Sequence, residues 1–181
     1  MKVYASRFNI YLVMFAALTL YCGCQSSKSD TKEGKQVSAL RIHIEANVDP
    51  AGTSQTVSVL RSDPVSVTID HNPILTEADV VAARVLDAPA GAGFAVEIKV
   101  ADMPTLLLEQ YTASSQGKHL VIWGQWGDKG KDTRWLAAPL ITHRISDGVL
   151  AFTPDMSRDD AYRLVLGLNN LAKKTAKGAM K

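Results

Sequence analysis

Residues 119–126, HLVIWGQW, form the most strand-like run in the chain, with Leu120, Val121, Ile122 and Trp123 consecutively apolar. A short apolar run between glycines, rich in branched and aromatic side chains, predicts a strand covered on both faces. The following GDKGKD segment (residues 127–132) reads as a turn, and Trp135-Leu136 opens the return strand. Trp126 and Trp135 are equally far from the middle of that turn, so a simple hairpin sets them opposite each other.

The front of the chain carries an address. Lys2 and Arg7 precede an apolar run over residues 10–21, shorter than the about 20 residues a membrane-spanning helix needs. Positive start, short apolar centre and small residues after it predict an export signal. It ends Leu20-Tyr21-Cys22-Gly23-Cys24, which resembles a bacterial lipoprotein signal, in which a small residue precedes the cysteine that is lipidated. Gly23-Cys24 fits that pattern, while Tyr21 stands where a small aliphatic residue is usual. An ordinary cleaved signal and an uncleaved anchor are the other readings. Acylation at Cys24, with palmitate or a similar chain, would hold the protein on a membrane without crossing it.

Both cysteines lie in this segment, so no disulfide can support the rest, and an exported domain of this length must bury a core. The boundaries expected are a signal at 1–23, a flexible tether at 24–36, one domain at 37–175 and a basic tail at 176–181. The tether, QSSKSDTKEGK after Cys24, has no apolar residue with which to offset its ordering entropy. Removing Lys2 and Arg7 from the 20 basic side chains balances the 18 acidic ones, which argues against a nucleic-acid partner. Lys173, Lys174, Lys177 and Lys181 are the one local excess; they suit a helix C-terminus, with a membrane-surface contact as the alternative.

Within the domain, Leu40, Ile42, Ile44 and Ala46 alternate along a half-buried strand, and residues 56–60 are expected to pair back after a turn at 49–52. Val65, Val67 and Ile69 mark a third strand, closed by the turn Asp70-His71-Asn72-Pro73. Thr76 and Asp79 make a capping box for a short helix. Residues 84–87 and the alternating Phe94, Val96, Ile98 and Val100 are read as a hairpin. Asp102 is expected to cap a helix with Leu107, Leu108 and Tyr111 on its packed stripe, ended by Gly117. Residues 141–145 and 149–152 flank a Ser146-Asp147-Gly148 hairpin signal. The last helix starts at a Ser157/Asp160 box and presents Ala161, Leu164, Val165, Leu168, Leu171 and Ala172 to a sheet. The fold class expected is α+β, a mostly antiparallel sheet built from hairpins with helices on one face.

The order of these pieces, Pro73-x-Leu75-Thr76-Glu77-Ala78-Asp79-Val80, Gly117-Lys118-x-Leu120-Val121-Ile122, Ala138-Pro139-x-Ile141, Ile145-x-x-Gly148 and Ser157-x-x-Asp160-Ala161, resembles the head subdomain of the large periplasmic domain of SecD, the accessory protein-export factor. The resemblance spans residues 65–171. It implies the fold and, more weakly, contact with extended polypeptide outside the cytoplasmic membrane. SecD is polytopic, and no apolar run after the signal here could cross a bilayer, so proton-driven export is not implied. The 127–132 loop and the three tryptophans also depart from the family pattern.

Local chemistry is sparse. His43, His71, His119 and His143 lie at no metal-ligand spacing, and His43 falls on the solvent-facing parity of its strand. Residues 124–131 lack the Gly-Lys-Ser/Thr of a phosphate loop, and residues 128–132 lack calcium-loop spacing. No cofactor, metal or catalytic residue is expected. Trp123, Trp126 and Trp135 either pack the hairpin on the core or, for Trp126 and Trp135, expose an aromatic patch that grips a partner. The reading is therefore a lipid-anchored cell-envelope protein, facing the periplasm or exterior, that binds an envelope protein or exported polypeptide without catalysis. A hydrolase or metal-dependent enzyme assembled from distant residues, or an accessory subunit of a membrane complex, is the alternative.

Overall fold

The apolar run is a strand with an antiparallel neighbour on each side. In the computed structural model, β7 (Leu120–Trp126) pairs with β1 (Ala39–Ile44) and with β8 (Asp132–Ala137), and β4 (Leu75–Thr76) completes the order β4-β1-β7-β8. A second sheet has the order β5-β6-β9, from β5 (Val80–Asp87), β6 (Phe94–Val100) and β9 (Val149–Phe152). A third is the hairpin of β2 (Ser54–Val59) and β3 (Val65–Asp70). Among the described residues, two α-helices, α1 (Asp102–Ser114) and α2 (Arg158–Ala179), complete this antiparallel α+β fold. The structure describes residues 36–49, 52–88 and 93–179, so the predicted signal, Cys24 and all of the tether before Gln36 lie outside it.

Alternation along β7 explains its two covers. Leu120, Ile122 and Trp126 join the main core with Leu40 and Ile42 of β1, Val96 and Ile98 of β6, and Leu164 and Leu168 of α2. Val121, on the opposite face, joins Val59, Val67 and Ile69 of the β2–β3 hairpin. Gly167 lets α2 approach the segment before β1 closely, since a Cβ there would sit 2.6 Å from the Ser38 backbone nitrogen. A Cβ on Gly124 of β7 would sit 2.6 Å from the Leu136 side chain of β8. Asn169 of α2 also closes the outer edge of β5, accepting from Ala83 N–H at 2.9 Å and donating to its carbonyl at 2.9 Å. That satisfies backbone groups an edge strand would otherwise leave open.

Several local signals work as read. Asp79 accepts from the Thr76 backbone N–H at 2.8 Å and from its hydroxyl at 3.0 Å, opening a single 3-10 turn over Glu77–Asp79. Ser157 accepts from Asp160 N–H at 3.2 Å and donates to its carboxylate at 2.7 Å. The expected β5–β6 hairpin forms.

Other expectations are corrected. β2 does not return to β1; it pairs along its whole length with β3, and β1 takes β7 and β4. Residues 141–145 are no strand, because Ile145 N–H donates to the Thr112 hydroxyl (2.9 Å) and β9 pairs with β6 instead. Ala101, not Asp102, is the N-cap of α1. The last helix runs on to Ala179, so part of the basic tail is helical.

Candidate functional site

The tryptophans come first, because the sequence set two of them together. The turn occupies five residues, with a 3-10 turn at Asp128–Gly130, and the register is Trp123↔Trp135 and Trp126↔Asp132. A shift by an odd number of residues exchanges faces, so Trp126 and Trp135 are not neighbours. Trp126 is 2% exposed in the main core, its indole N–H without a partner. Trp135 is half-buried on the other face, packed on the β2–β3 cluster with its ring 5.5 Å from that of His43. Of the two readings, packing holds for both tryptophans, and the exposed patch of Trp126 and Trp135 is corrected: burial at Trp126 leaves no surface for a partner. Trp123 lies on the outer face under the Arg41 guanidinium, 5.2 Å from its ring centroid.

The histidines are dispersed. His43 is buried, not solvent-facing as its parity suggested, because the β2–β3 hairpin covers that face of β1. Its Nδ1–H donates to the Asp70 carbonyl at 2.8 Å, and burial holds its pKa below the usual value despite that bond. His119 pairs with Glu45, whose carboxylate accepts from the ring at 2.7 Å and from the backbone N–H at 2.9 Å. Burial pushes the Glu45 pKa up, but these bonds outweigh it and the net shift is downward. His71 lies in a bend, and His143 Nδ1 meets the Thr142 hydroxyl at 3.0 Å. Among the described residues, no three His, Cys, Asp or Glu side chains are placed to share a metal ion.

The surface that stands out is α1. Its inner side buries only Leu108 and Thr112. Thr112 is fully satisfied, donating to the Leu108 carbonyl at 2.7 Å while accepting from Ile145 N–H, so it fastens the 141–148 loop to the helix. The outer side carries Met103, Leu106, Leu107 and Tyr111, at 74%, 58%, 46% and 37% exposure. Positions 103, 106, 107 and 111 share one face of a helix, so these side chains make a continuous apolar stripe. Gln110 and Ser114 continue the same face with polar groups, Asp102 flanks it, and Glu109 pairs with Arg144 at 3.3 Å beside it. Leu107 and Tyr111, expected to pack inward, thus point to solvent. A signal existed in the sequence: apolar residues at 103, 106, 107, 108 and 111 span more of the circumference than one buried face can hold.

A second feature lies where the described chain begins. Gln36, Val37, Ser38 and Ala39 line an open cleft of about 860 Å³ with Glu77, Gln125, residues 127–131 and Leu171. Asn170 donates to the Gln36 carbonyl at 3.0 Å, and the Ser38 hydroxyl meets the Arg163 carbonyl at 3.4 Å, so the segment before β1, residues 36–38, runs along α2.

No protein-family model matches the chain, and no curated protein matches it in sequence. Solved structures do. A SecDF described as a membrane component that enhances protein export superposes with a TM-score of 0.54 at 20% identity, over 82% of this chain and 70% of that one. The fold is SecD-like. A SecDF in a super-membrane-facing form superposes with a TM-score of 0.53 at 20% identity, over 80% of this chain but 21% of that one. The SecD-like domain therefore corresponds to about a fifth of that longer protein. No helix among the described residues is long and apolar enough to cross a membrane.

Proposed function

We propose that this chain is an envelope lipoprotein, acylated at Cys24, whose SecD-like domain is a non-catalytic module that binds a protein or polypeptide outside the cytoplasmic membrane. The observation that carries the reading is the exposed stripe of α1, Met103, Leu106, Leu107 and Tyr111. Apolar side chains left in water at helical spacing on a folded domain are the usual anchors of a partner groove or peptide. Acylation at Cys24 would keep the domain beside a membrane and any complex within it. The likeness to SecDF, an enhancer of protein export, makes an exported chain or an export-associated membrane protein the partner class to test first.

The test is quantitative affinity capture from solubilised membranes. Met103→Ser, Leu106→Ser and Leu107→Ser combined are expected to lose the captured partner while the melting temperature holds. Full retention of the partner by this folded variant overturns the assignment to α1. Separately, Cys24→Ser is expected to release the chain from membranes; a Cys24→Ser chain that stays attached overturns the anchor.

A further inference from the structure

We infer that the end of the domain where the tether joins is a docking surface for anionic lipid headgroups, formed by Lys173, Lys174 and Lys177 on α2 with Lys129 and Lys131 on the β7–β8 turn. Three observations converge. First, the last turns of α2 leave the body of the domain: residues 173–178 are all exposed, whichever side of the helix they occupy. A helix end that packs on nothing gains no stability from the core, and these residues need another reason to be helical and cationic.

Second, the charge is unopposed. From Leu164 to Ala179 the helix contains no Asp or Glu, and none of the three lysines forms an ion pair among the described residues. The helix dipole accounts for a cation or two in the last turn, but it does not call for lysines that begin at residue 173. Lys129 and Lys131 are also exposed and line the same cleft as Gln36 and Leu171. The acids there are Asp128 and Asp132, beside Lys129 and Lys131, and Glu77, whose carboxylate already accepts from Leu40 N–H at 3.2 Å. The turn is thus neutral by itself, and α2 supplies the surplus.

Third, the chain path sets the occupant. Asn170 and Leu171, just before Ala172 and the Lys173-Lys174 turn, hold or line the segment at Gln36. Eleven residues separate Cys24 from Gln36, about 40 Å at full extension, so a surface that holds Cys24 lies within reach of this end of the domain. The inner or outer leaflets of bacterial envelopes carry anionic headgroups, and juxtamembrane lysines gain from them individually, within a Debye length. The consequence is orientation: α2 toward the bilayer.

The inference rests on the lipid-anchor reading, and the experiment separates the two. The full chain, purified from membranes, is reconstituted with vesicles of phosphatidylcholine alone or with added phosphatidylglycerol. Flotation reads attachment, and acetylation by a water-soluble reagent, followed by mass spectrometry, reads each lysine, with Lys99 on β6 as internal reference. Expected is flotation with both vesicles, and acetylation of Lys173, Lys174 and Lys177 slowed about five-fold by the anionic lipid and restored at about 0.5 M salt. Lys99 should not change. Flotation with both and equal acetylation in both overturns the docking surface and leaves the anchor standing. Flotation with anionic vesicles only overturns the anchor and upholds the surface; flotation with neither overturns both. The triple variant Lys173→Gln, Lys174→Gln, Lys177→Gln should leave Lys129 and Lys131 equally reactive in the two lipids; continued slowing of these two would refute the role given to α2.

Discussion

The two helices of this domain were written with similar apolar stripes and put to opposite uses. In α2, Ala161, Leu164 and Leu168 are fully buried against both larger sheets, Gly167 admits the β1 end of the chain, and Asn169 seals the edge of β5. In α1, Leu108 alone of the leucines is buried, and Met103, Leu106, Leu107 and Tyr111 face water. The difference teaches that apolar periodicity tells which residues seek cover and not who provides it. For α2 the cover is intramolecular and is the fold itself. For α1 it is missing among the described residues, and that uncovered face is the one proposed for a partner.

That contrast can be broken by measurement. The largest effect is expected from Leu168→Ala, which opens a cavity under α2 and should lower stability by about 3 kcal/mol in denaturant unfolding. A loss below about 1 kcal/mol would mean α2 is not the core helix. Gly167→Ala should cost about 2 kcal/mol, because its Cβ would meet Ser38 backbone that cannot swing aside. Neutral behaviour there would show that the segment at Ser38 is loosely held.

A smaller effect concerns the lesser cluster between β7 and the β2–β3 hairpin. Burial lowers the His43 pKa from 6.5, so the unfolded chain takes up that proton first as pH falls. Stability tied to neutral His43 is full above about pH 6.5 and is lost as pH falls toward the lowered folded value, then levels. His43→Phe should flatten the melting-temperature slope between about pH 7 and pH 5.5; an unchanged slope would assign it elsewhere. The groups facing the ring are the Asp70 carbonyl and carboxylate, Arg41, His71 and Trp135. Smallest of all, Leu107→Ser should change stability by less than about 0.5 kcal/mol, since its side chain is exposed. A large loss would return α1 to the core and remove the partner face.

Much of the fold was legible because its signals are local. The capping boxes at Thr76/Asp79 and Ser157/Asp160 close within one turn, and the alternation of Phe94, Val96, Ile98 and Val100 requires only a strand. The failures share a different cause. Whether β2 pairs with β1 or β3, whether His43 is wet, and which tryptophan faces its neighbour across β7–β8 all depend on register and on a second layer. The odd register offset at the hairpin turn was enough to send Trp126 inward and separate it from Trp135.

Taken alone, the order of residues determined that a chain with no cysteine beyond residue 24 must form an α+β core around one doubly covered strand, because periodicity and the cost of exposed apolar surface act at short range. Which apolar face stays uncovered, and which lysines stand beyond the packed part of α2, was decided by the packing of α1 and α2. Those are properties of surfaces meeting across long sequence separations, and no single stretch of the chain encodes them.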